Sequence, residues 1–238
     1  MASPSTPKTK TEKALYFNVD KDKNFVYTPF HLDFGPFNLS TTHFYCQQVK
    51  QMIEAPEFKE KKIIHHTSSL SKQAQANACF LMGAFMVIVL DRGAEEAWNA
   101  FETYHDELIA FRDAAKTEEV TYKCEIYHCL KGLEIAIRLK WYSFENFDAE
   151  EYKHFLNIEN GDLSWIIPGK FVAFSAPHRN AFDEFGIRQF TARDYVPIFK
   201  KWGVQVVVRL NTPTYEDVDF ESQGIRVVSL YFKDGTTP

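Results

Sequence analysis

The sequence is poor in cysteine, glycine and proline, which contribute 4, 10 and 10 of its 238 residues. The four cysteines lack the paired spacing of a secreted disulfide framework, which indicates an intracellular, reducing compartment. The longest apolar run, residues 78–90, holds 13 residues and is shorter than the roughly 20 that span a bilayer. We therefore expect no membrane segment. The net charge is −5, so we also expect no nucleic-acid-binding surface.

Apolar and aromatic residues are plentiful, and their pattern predicts an α/β fold. They make up 45% and 16% of the chain, which is enough for a substantial core. Residues 25–30 and 62–66 have the character of strands, whereas residues 72–90 and 124–141 keep apolar side chains at helical spacing. After residue 168 the pattern alternates strand, helix, strand, helix, strand, which predicts a parallel sheet.

Breaks in this pattern divide the chain into four parts. Residues 1–24 are polar and contain proline, which predicts a flexible tail. Residues 25–144 form a first domain. Residues 145–167 carry an acidic helix that ends at Asn-Gly-Asp, and we interpret them as a linker. Residues 168–238 form the first part of a second domain, because the sheet pattern stops before its remaining strand and crossover helix.

Several longer segments are specific enough to indicate a family. They are FHLDFGPFNL (30–39), QANACFLMGA (75–84), AFRDA (110–114), ENGDLSWIIPGKFVAFSAPH (159–178), VVVRLNTPTYE (206–216) and YFKDGTTP (231–238). With these segments in this order, the chain resembles the mitotic-exit dual-specificity protein phosphatases, the Cdc-fourteen family. The resemblance implies an α/β fold with two tandem phosphatase-like domains, the second incomplete in this chain.

In that family the second domain carries a cysteine and an arginine six positions apart, and the first domain has lost its chemistry. The resemblance therefore implies that residues 65–77 are a silent loop. In this chain the positions six residues after each cysteine hold Met52, Phe85, Leu130 and Ile135. Without a thiolate–arginine loop we expect this chain alone to be inactive. The resemblance further implies that Asp234, in Phe-Lys-Asp-Gly, is a general acid, and it implies no cofactor and no metal.

Acidic residues are concentrated around the linker. Six of them lie within eighteen positions: Glu145, Asp148, Glu150, Glu151, Glu159 and Asp162. The resemblance implies an acidic groove that selects a basic residue just after phosphoserine-proline, and it assigns Glu159 and Asp162 to substrate binding. Leu156 stands where animal members carry a second acid, which would weaken or shift that preference. The other interpretation is a solvated helix face.

Two further features have competing interpretations. Cys124 and His128 lie one helical turn apart and could bind a metal, but no second ligand pair follows at finger spacing, so we favour packing. Arg209 closes a buried strand and could reach a phosphate, but a structural role is the more common one for such a charge.

The sequence leaves two functions open. The first is part of a dual-specificity phosphatase that dephosphorylates phosphoserine and phosphotyrosine in cell-cycle control. By resemblance it would act in the nucleus or cytoplasm, including the nucleolus, spindle or centrosome. The second is a non-catalytic pseudophosphatase that binds basic, proline-containing peptides. Either form could assemble as a homo-oligomer.

Overall fold

The computed structural model describes four stretches of the chain: residues 14–20, 22–114 and 123–233, and residue 236. The predicted general acid Asp234 and most of the predicted tail lie outside them. The chain divides into two compact units, Met1–Ala149 and Glu150–Pro238.

The first unit combines two short strands with four helices in its described part. In chain order these are β1 (Ala14–Phe17), α1 (Leu39–Glu54), β2 (Lys62–His65), α2 (Lys72–Ile88), α3 (Ala94–Asn99) and α4 (Ile126–Arg138). Short 3-10 helices cover Lys23–Phe25, Pro56–Phe58 and Glu102–Glu107. No helix in the described stretches is both long and apolar enough to cross a membrane.

Strand β1 corrects the predicted boundary of the tail. It pairs in parallel with β2, with Leu15 opposite Ile63 and Phe17 opposite His65. The rings of Phe17 and His65 stack with their centroids 4.7 Å apart, so this contact and the strand pairing hold residues that we predicted to be flexible. The strand predicted over residues 25–30 is wrong: a 3-10 helix capped by Asp22 covers Lys23–Phe25, and residues 26–30 form neither helix nor strand.

Helices α1 and α2 begin where their capping residues predict. Asn38 caps α1 by accepting from the Thr41 amide at 2.9 Å, and Ser71 caps α2 by accepting from the Ala74 amide at 3.1 Å. Helix α2 runs through the core of the unit and packs against α4, where Gly83 leaves room for the buried side chain of Leu130.

The second unit has a different arrangement of short strands and helices. Its elements are α5 (Ala149–Leu156), β3 (Leu163–Ile167), β4 (Phe171–Phe174), α6 (Ala192–Trp202), β5 (Val206–Arg209), α7 (Val218–Glu221) and β6 (Arg226–Ser229), with a 3-10 helix at Ile158–Asn160. Strands β5 and β6 are parallel, as predicted. Strand β4 does not join their sheet as predicted; in the described residues it pairs only with β3, in an antiparallel hairpin.

Helix α6 organises the core of the second unit. Thr191 and Asp194 form a capping box at its start, and Gly203 ends it in the left-handed conformation with φ 70°. Its buried face carries Tyr195 and Phe199, whose rings pack on Phe174 of β4 and Phe220 of α7. Both units therefore have an α/β fold built on small sheets.

Candidate functional site

The predicted substrate-binding residues lie at a rigid corner between α5 and β3. Asn157 caps the 3-10 helix Ile158–Asn160 by accepting from the Glu159 amide at 2.9 Å, and its carbonyl accepts from the Asp162 amide at 3.1 Å. Gly161 is in the left-handed region with φ 107°, and a Cβ there would come within 2.9 Å of side-chain atoms of Leu163 and Phe190. Only glycine fits this turn, which fixes the positions of both acids.

The two acids differ in what their carboxylates do. Glu159 is exposed and has no ion-pair partner in the part of the chain that the structure describes. Asp162 is half-buried, and its carboxylate accepts from the hydroxyl of Ser175, just after β4. The carbonyl of Ser175 also lies 3.0 Å from the hydroxyl of Tyr195. Glu159 is therefore placed to meet a cation from solvent, whereas Asp162 stabilises the corner.

The acidic run is divided between the two units. Glu145 and Asp148 belong to the first unit, and the other four acids belong to the second. Five of the six are exposed, with Asp162 the exception. Leu156, in the place expected for a further acid, ends α5 and is half-buried. The second unit thus presents Glu150, Glu151 and Glu159 to solvent on or just after this helix.

Arg209 has a structural environment at the carboxyl end of β5. It is 7% exposed, and its guanidinium donates to Asp217 Oδ1 and to Ser229 Oγ, each at 2.6 Å. The hydrogen bond to Asp217 raises the pKa of the guanidinium, and the group lies 5.2 Å from the ring centre of Tyr215. These contacts tie β5 to β6 and to the residue before α7, which supports the structural interpretation.

The chain leads from β6 toward the predicted general acid along this same end of the sheet. The amide of Leu230 donates to the carbonyl of Arg209 at 2.9 Å, and that of Phe232 donates to the carbonyl of Leu210 at 3.2 Å. Asp234 follows two residues later, outside the described residues. Carboxyl ends of parallel strands are where α/β sheets assemble ligand sites.

A slot separates the two small sheets of the second unit. It encloses about 950 Å³ between β4 and β5 and is lined mainly by apolar side chains. In the described residues β4 pairs only with β3, and β5 pairs only with β6. In the described residues each strand therefore has one unpaired edge, and residues of both strands line the slot. The second unit also contains no thiol, because all four cysteines precede residue 130.

The strand–loop–helix of the first unit is closed by an internal carboxylate. Asp20, just beyond β1, accepts from Thr67 Oγ1 at 2.9 Å and from the Ser68 amide at 2.8 Å. These donors lie on the loop between β2 and α2, the kind of loop that binds oxyanions when it is free. The loop holds neither cysteine nor arginine, and an acid already accepts from two of its donors.

His65 ends β2 beneath this loop and is held neutral. Its Nδ1 lies 2.9 Å from the hydroxyl of Tyr45, and burial lowers its pKa to about 4. Two thiols of the first unit, those of Cys46 and Cys79, are poor nucleophiles in this setting. Burial raises the pKa of Cys46 to about 12 and that of Cys79 to about 11.

The cysteine–histidine pair proposed as an alternative metal site has a different role. His128 Nδ1 accepts from the Glu125 amide at 3.1 Å, and together the two residues form a capping box at the start of α4. Among the described residues, no three His, Cys, Asp or Glu side chains come together as a metal site would require.

Comparison with known proteins decides the family. A family model described as the N-terminal half of dual specificity protein phosphatases matches residues 1–136. The chain belongs to this family. It is 40% identical over 224 residues to the dual specificity protein phosphatase CDC14A of Mus musculus, which covers 94% of this chain and 36% of that protein.

More distant relatives carry the same type of name. The chain is 32% identical over 235 residues to the tyrosine-protein phosphatase cdc-14 of Caenorhabditis elegans, with 95% of this chain and 32% of that protein covered. It is 31% identical over 231 residues to the CDC14 homolog of Schizosaccharomyces pombe, with coverages of 94% and 42%. The resemblance to CDC14 phosphatases is therefore confirmed. The chain spans about a third to a half of the length of the curated relatives that it matches.

Sequence reasoning missed the residue that closes the first-unit loop. Asp20 lay within the predicted tail, so its link to Thr67 and Ser68 was not anticipated. A signal was present, because Ala14–Phe17 has strand-forming aromatic residues and is followed by Asn18 and Asp20, which favour turns.

Proposed function

We propose that this chain is the N-terminal and interdomain portion of a cysteine-dependent phosphatase that removes phosphate from phosphoserine and phosphotyrosine in cell-cycle control. Membership of the dual specificity phosphatase family is the observation that carries this proposal. The relatives extend well beyond the length of this chain. The second unit, with two strand edges facing one slot, supports the idea that a further strand belongs there.

Hydrolysis of a phosphate monoester by a cysteine-dependent phosphatase requires three chemical groups. A thiolate attacks phosphorus, an arginine and loop amides hold the phosphoryl oxygens, and a carboxylic acid protonates the leaving oxygen. Asp234 is our candidate for the last task, since it follows a segment that runs beside the carboxyl end of β5. Proton donation supplies about 10²–10⁴ of rate, so an acid without its nucleophile sustains no measurable turnover.

The experiment compares this chain with a longer one that includes the residues following Pro238 in its gene. With p-nitrophenyl phosphate, we expect hydrolysis from the longer chain only. On phosphopeptides, whose leaving oxygen needs an acid, Asp234→Asn in the longer chain should lower kcat by about 100-fold or more. The variant should also lose the fall in kcat at alkaline pH that deprotonation of this acid causes. Full activity of Asp234→Asn on phosphopeptides would contradict its assignment.

We further propose that Glu159 contributes to selection of a basic residue after phosphoserine-proline. Its exposure and its freedom from ion pairs among the described residues support this role. Asp162 acts with it as the residue that fixes the corner. A single exposed charge contributes about 0.2–1 kcal/mol, so Glu159→Gln should weaken binding of a Ser-Pro-x-Lys peptide by about 1.5–5-fold.

The matched control for this binding test is Glu184→Gln, which removes an exposed acid elsewhere in the second unit. We expect no change in affinity for this control. Affinity should also fall with added salt, because the Debye length shortens to about 8 Å at 0.15 M. Equal losses for the two variants would show that the peptide responds only to net charge.

A second candidate function is a non-catalytic module that binds such peptides. The observation that favours it is the occupied, cysteine-free loop of the first unit together with the absence of any thiol from residue 130 onward. This function predicts peptide binding by the present chain and no activity from the longer one, which separates it from the first proposal.

A further inference from the structure

Two thiols of the first unit are in van der Waals contact. The Sγ atoms of Cys124 and Cys129 lie 3.7 Å apart, and both residues are half-buried at the edge of the core. Cys124 precedes α4 and pairs with Phe111 through two backbone hydrogen bonds of 2.8 and 3.3 Å. Cys129 lies in the first turn of the helix. The start of α4 and the residue before its cap thus bring two sulfur atoms into contact.

The start of α4 explains this arrangement. Glu125 is the N-cap residue, and its capping box with His128 fixes the first turn. Cys124 and Cys129 then occupy the positions before the cap and four residues after it, where apolar side chains commonly pack across a helix start. The sulfur contact therefore follows from the geometry of the cap, and it is built into the folded unit.

We propose that Cys124 and Cys129 are a site of oxidative modification, at which hydrogen peroxide converts the two thiols into an intramolecular disulfide. Cys124 sulfur first attacks one oxygen of the peroxide, which breaks the O–O bond and releases one water after proton transfer. Cys129 sulfur then attacks the resulting sulfenic acid, the S–O bond breaks, and the Cys129 proton leaves with the hydroxyl as a second water. Both sulfurs are oxidised by one electron each, and the peroxide is reduced by two.

The order of these steps reflects the two environments. Burial and the neighbouring Cys124 raise the pKa of Cys129, so Cys129 remains a thiol at neutral pH. Cys124 stands outside the helix, and we assign the first attack on peroxide to it. The sulfurs must approach by about 1.7 Å to reach the S–S bond length, a movement that side-chain rotation at the loop residue Cys124 can supply.

The other two cysteines provide an internal comparison. Cys46 is fully buried in α1, and Cys79 is half-buried in α2. Neither has a second sulfur in contact among the described residues. Peroxide that reaches Cys79 can therefore produce a sulfenic acid there but no disulfide within the folded chain.

The disulfide would fasten the start of α4 to the segment that pairs with Phe111. A closed loop of this size restricts the unfolded chain, so the oxidised protein should unfold at a temperature higher by about 4–9 °C. This response is independent of phosphatase activity and would be seen in the present chain. It makes the first unit sensitive to peroxide although that unit holds no reactive phosphate loop.

Peptide mapping tests the proposal on the folded 238-residue chain. After peroxide treatment and alkylation of free thiols, trypsin cleaves at Lys123 and Lys131 and releases one peptide that contains both cysteines. We expect this peptide unalkylated and two hydrogens lighter, and we expect it alkylated twice after prior reduction. Alkylation of both cysteines, while Cys79 is oxidised at the same dose, would overturn the proposal.

A variant of Cys129 tests which of the two cysteines forms the sulfenic acid. In Cys129→Ser the sulfenic acid on Cys124 has no thiol to attack it, so we expect trapping by dimedone at Cys124 to rise at least fivefold over the unmodified chain. Cys79→Ser is the matched control and should leave both the disulfide and the trapping unchanged. No increase in trapping, in a variant whose circular dichroism matches the parent chain, would contradict the assigned roles.

Discussion

The two units differ in what borders their strands. In the first unit, Asp20 accepts from Thr67 and Ser68 of the loop between β2 and α2, and that loop contains no cysteine. In the second unit the strands and the approach to Asp234 are present, but β4 and β5 each leave one edge toward an open slot. An internal carboxylate thus holds the loop of the first unit, whereas an open slot lies between β4 and β5 of the second.

This difference also appears in the packing. In the first unit, α2 is buried along most of its length and carries Leu81 and Ala84 with no exposed surface. In the second unit, Phe171 beside the slot is 64% exposed and Val208 is 45% exposed. The central helix of the first unit is therefore shielded from solvent, whereas apolar side chains beside the slot of the second unit are accessible to it.

The largest expected effect is in hydrogen exchange. Amides of α2 should exchange about 100-fold more slowly than those of β5, because one edge of β5 faces the slot and its neighbouring core is open. Mass spectrometry of exchanged peptides measures both in one sample. Equal protection of the two elements would break the comparison between a closed unit and an open one.

The next largest effect is the loss of stability expected when a larger side chain is forced between α2 and α4 of the first unit. A Cβ on Gly83 would lie 2.8 Å from one methyl carbon of Leu130 and 3.0 Å from the other, so Gly83→Val should destabilise the unit by about 1–3 kcal/mol. Gly132→Ala is the control, since no atom lies within 4 Å of the added carbon. That change should stabilise α4 by about 0.5–1 kcal/mol. Urea unfolding measures both, and a neutral Gly83→Val would show that the core is loose.

The first unit should also lose stability in mild acid. Burial lowers the pKa of His65 to about 4, whereas an unfolded histidine titrates near 6.5. Between these values the unfolded chain binds the proton more readily, so stability falls as pH falls, by at most about 1.4 kcal/mol per pH unit. His65→Gln should flatten the dependence of the urea midpoint between pH 7 and 5. An unchanged slope would exclude His65 as its source.

The smallest expected loss of stability comes from changing Asp20, which holds the loop between β2 and α2. Asp20→Asn weakens the bonds to Thr67 and Ser68, and because Asp20 is exposed we expect a loss of about 1 kcal/mol. Glu60→Gln, another exposed acid of the same unit, should change stability by less than about 0.5 kcal/mol. Matching values for the two variants would mean that the carboxylate does not hold the loop.

The sequence predicted those elements whose ends carry local signals. Helices α1 and α6 begin after Asn38 and Thr191, and such side-chain caps are readable from neighbouring residues, although Ser40 is an equally good candidate by type for α1. Strands β5 and β6 were also recognised from their β-branched residues. Strand β1 was missed because it is short and depends on a partner 48 residues away, which no local pattern encodes.

The candidate site was predictable only where it rests on a long motif. Glu159 and Asp162 were found through their segment, but sequence could not tell that Asp162 accepts from Ser175 while Glu159 stays exposed. That distinction arises from the Gly161 turn and the β3–β4 hairpin, which bring residue 175 back beside residue 162. For Arg209 the sequence left two roles open, and the tertiary contacts with Asp217 and Ser229 favour the structural one.

A phosphatase assay with p-nitrophenyl phosphate on the purified 238-residue chain tests whether this chain acts alone. We expect no turnover above buffer, because all four thiols lie in the first unit and none is followed by arginine at the required spacing. Turnover that disappears when any one of these cysteines is changed to serine would contradict this expectation.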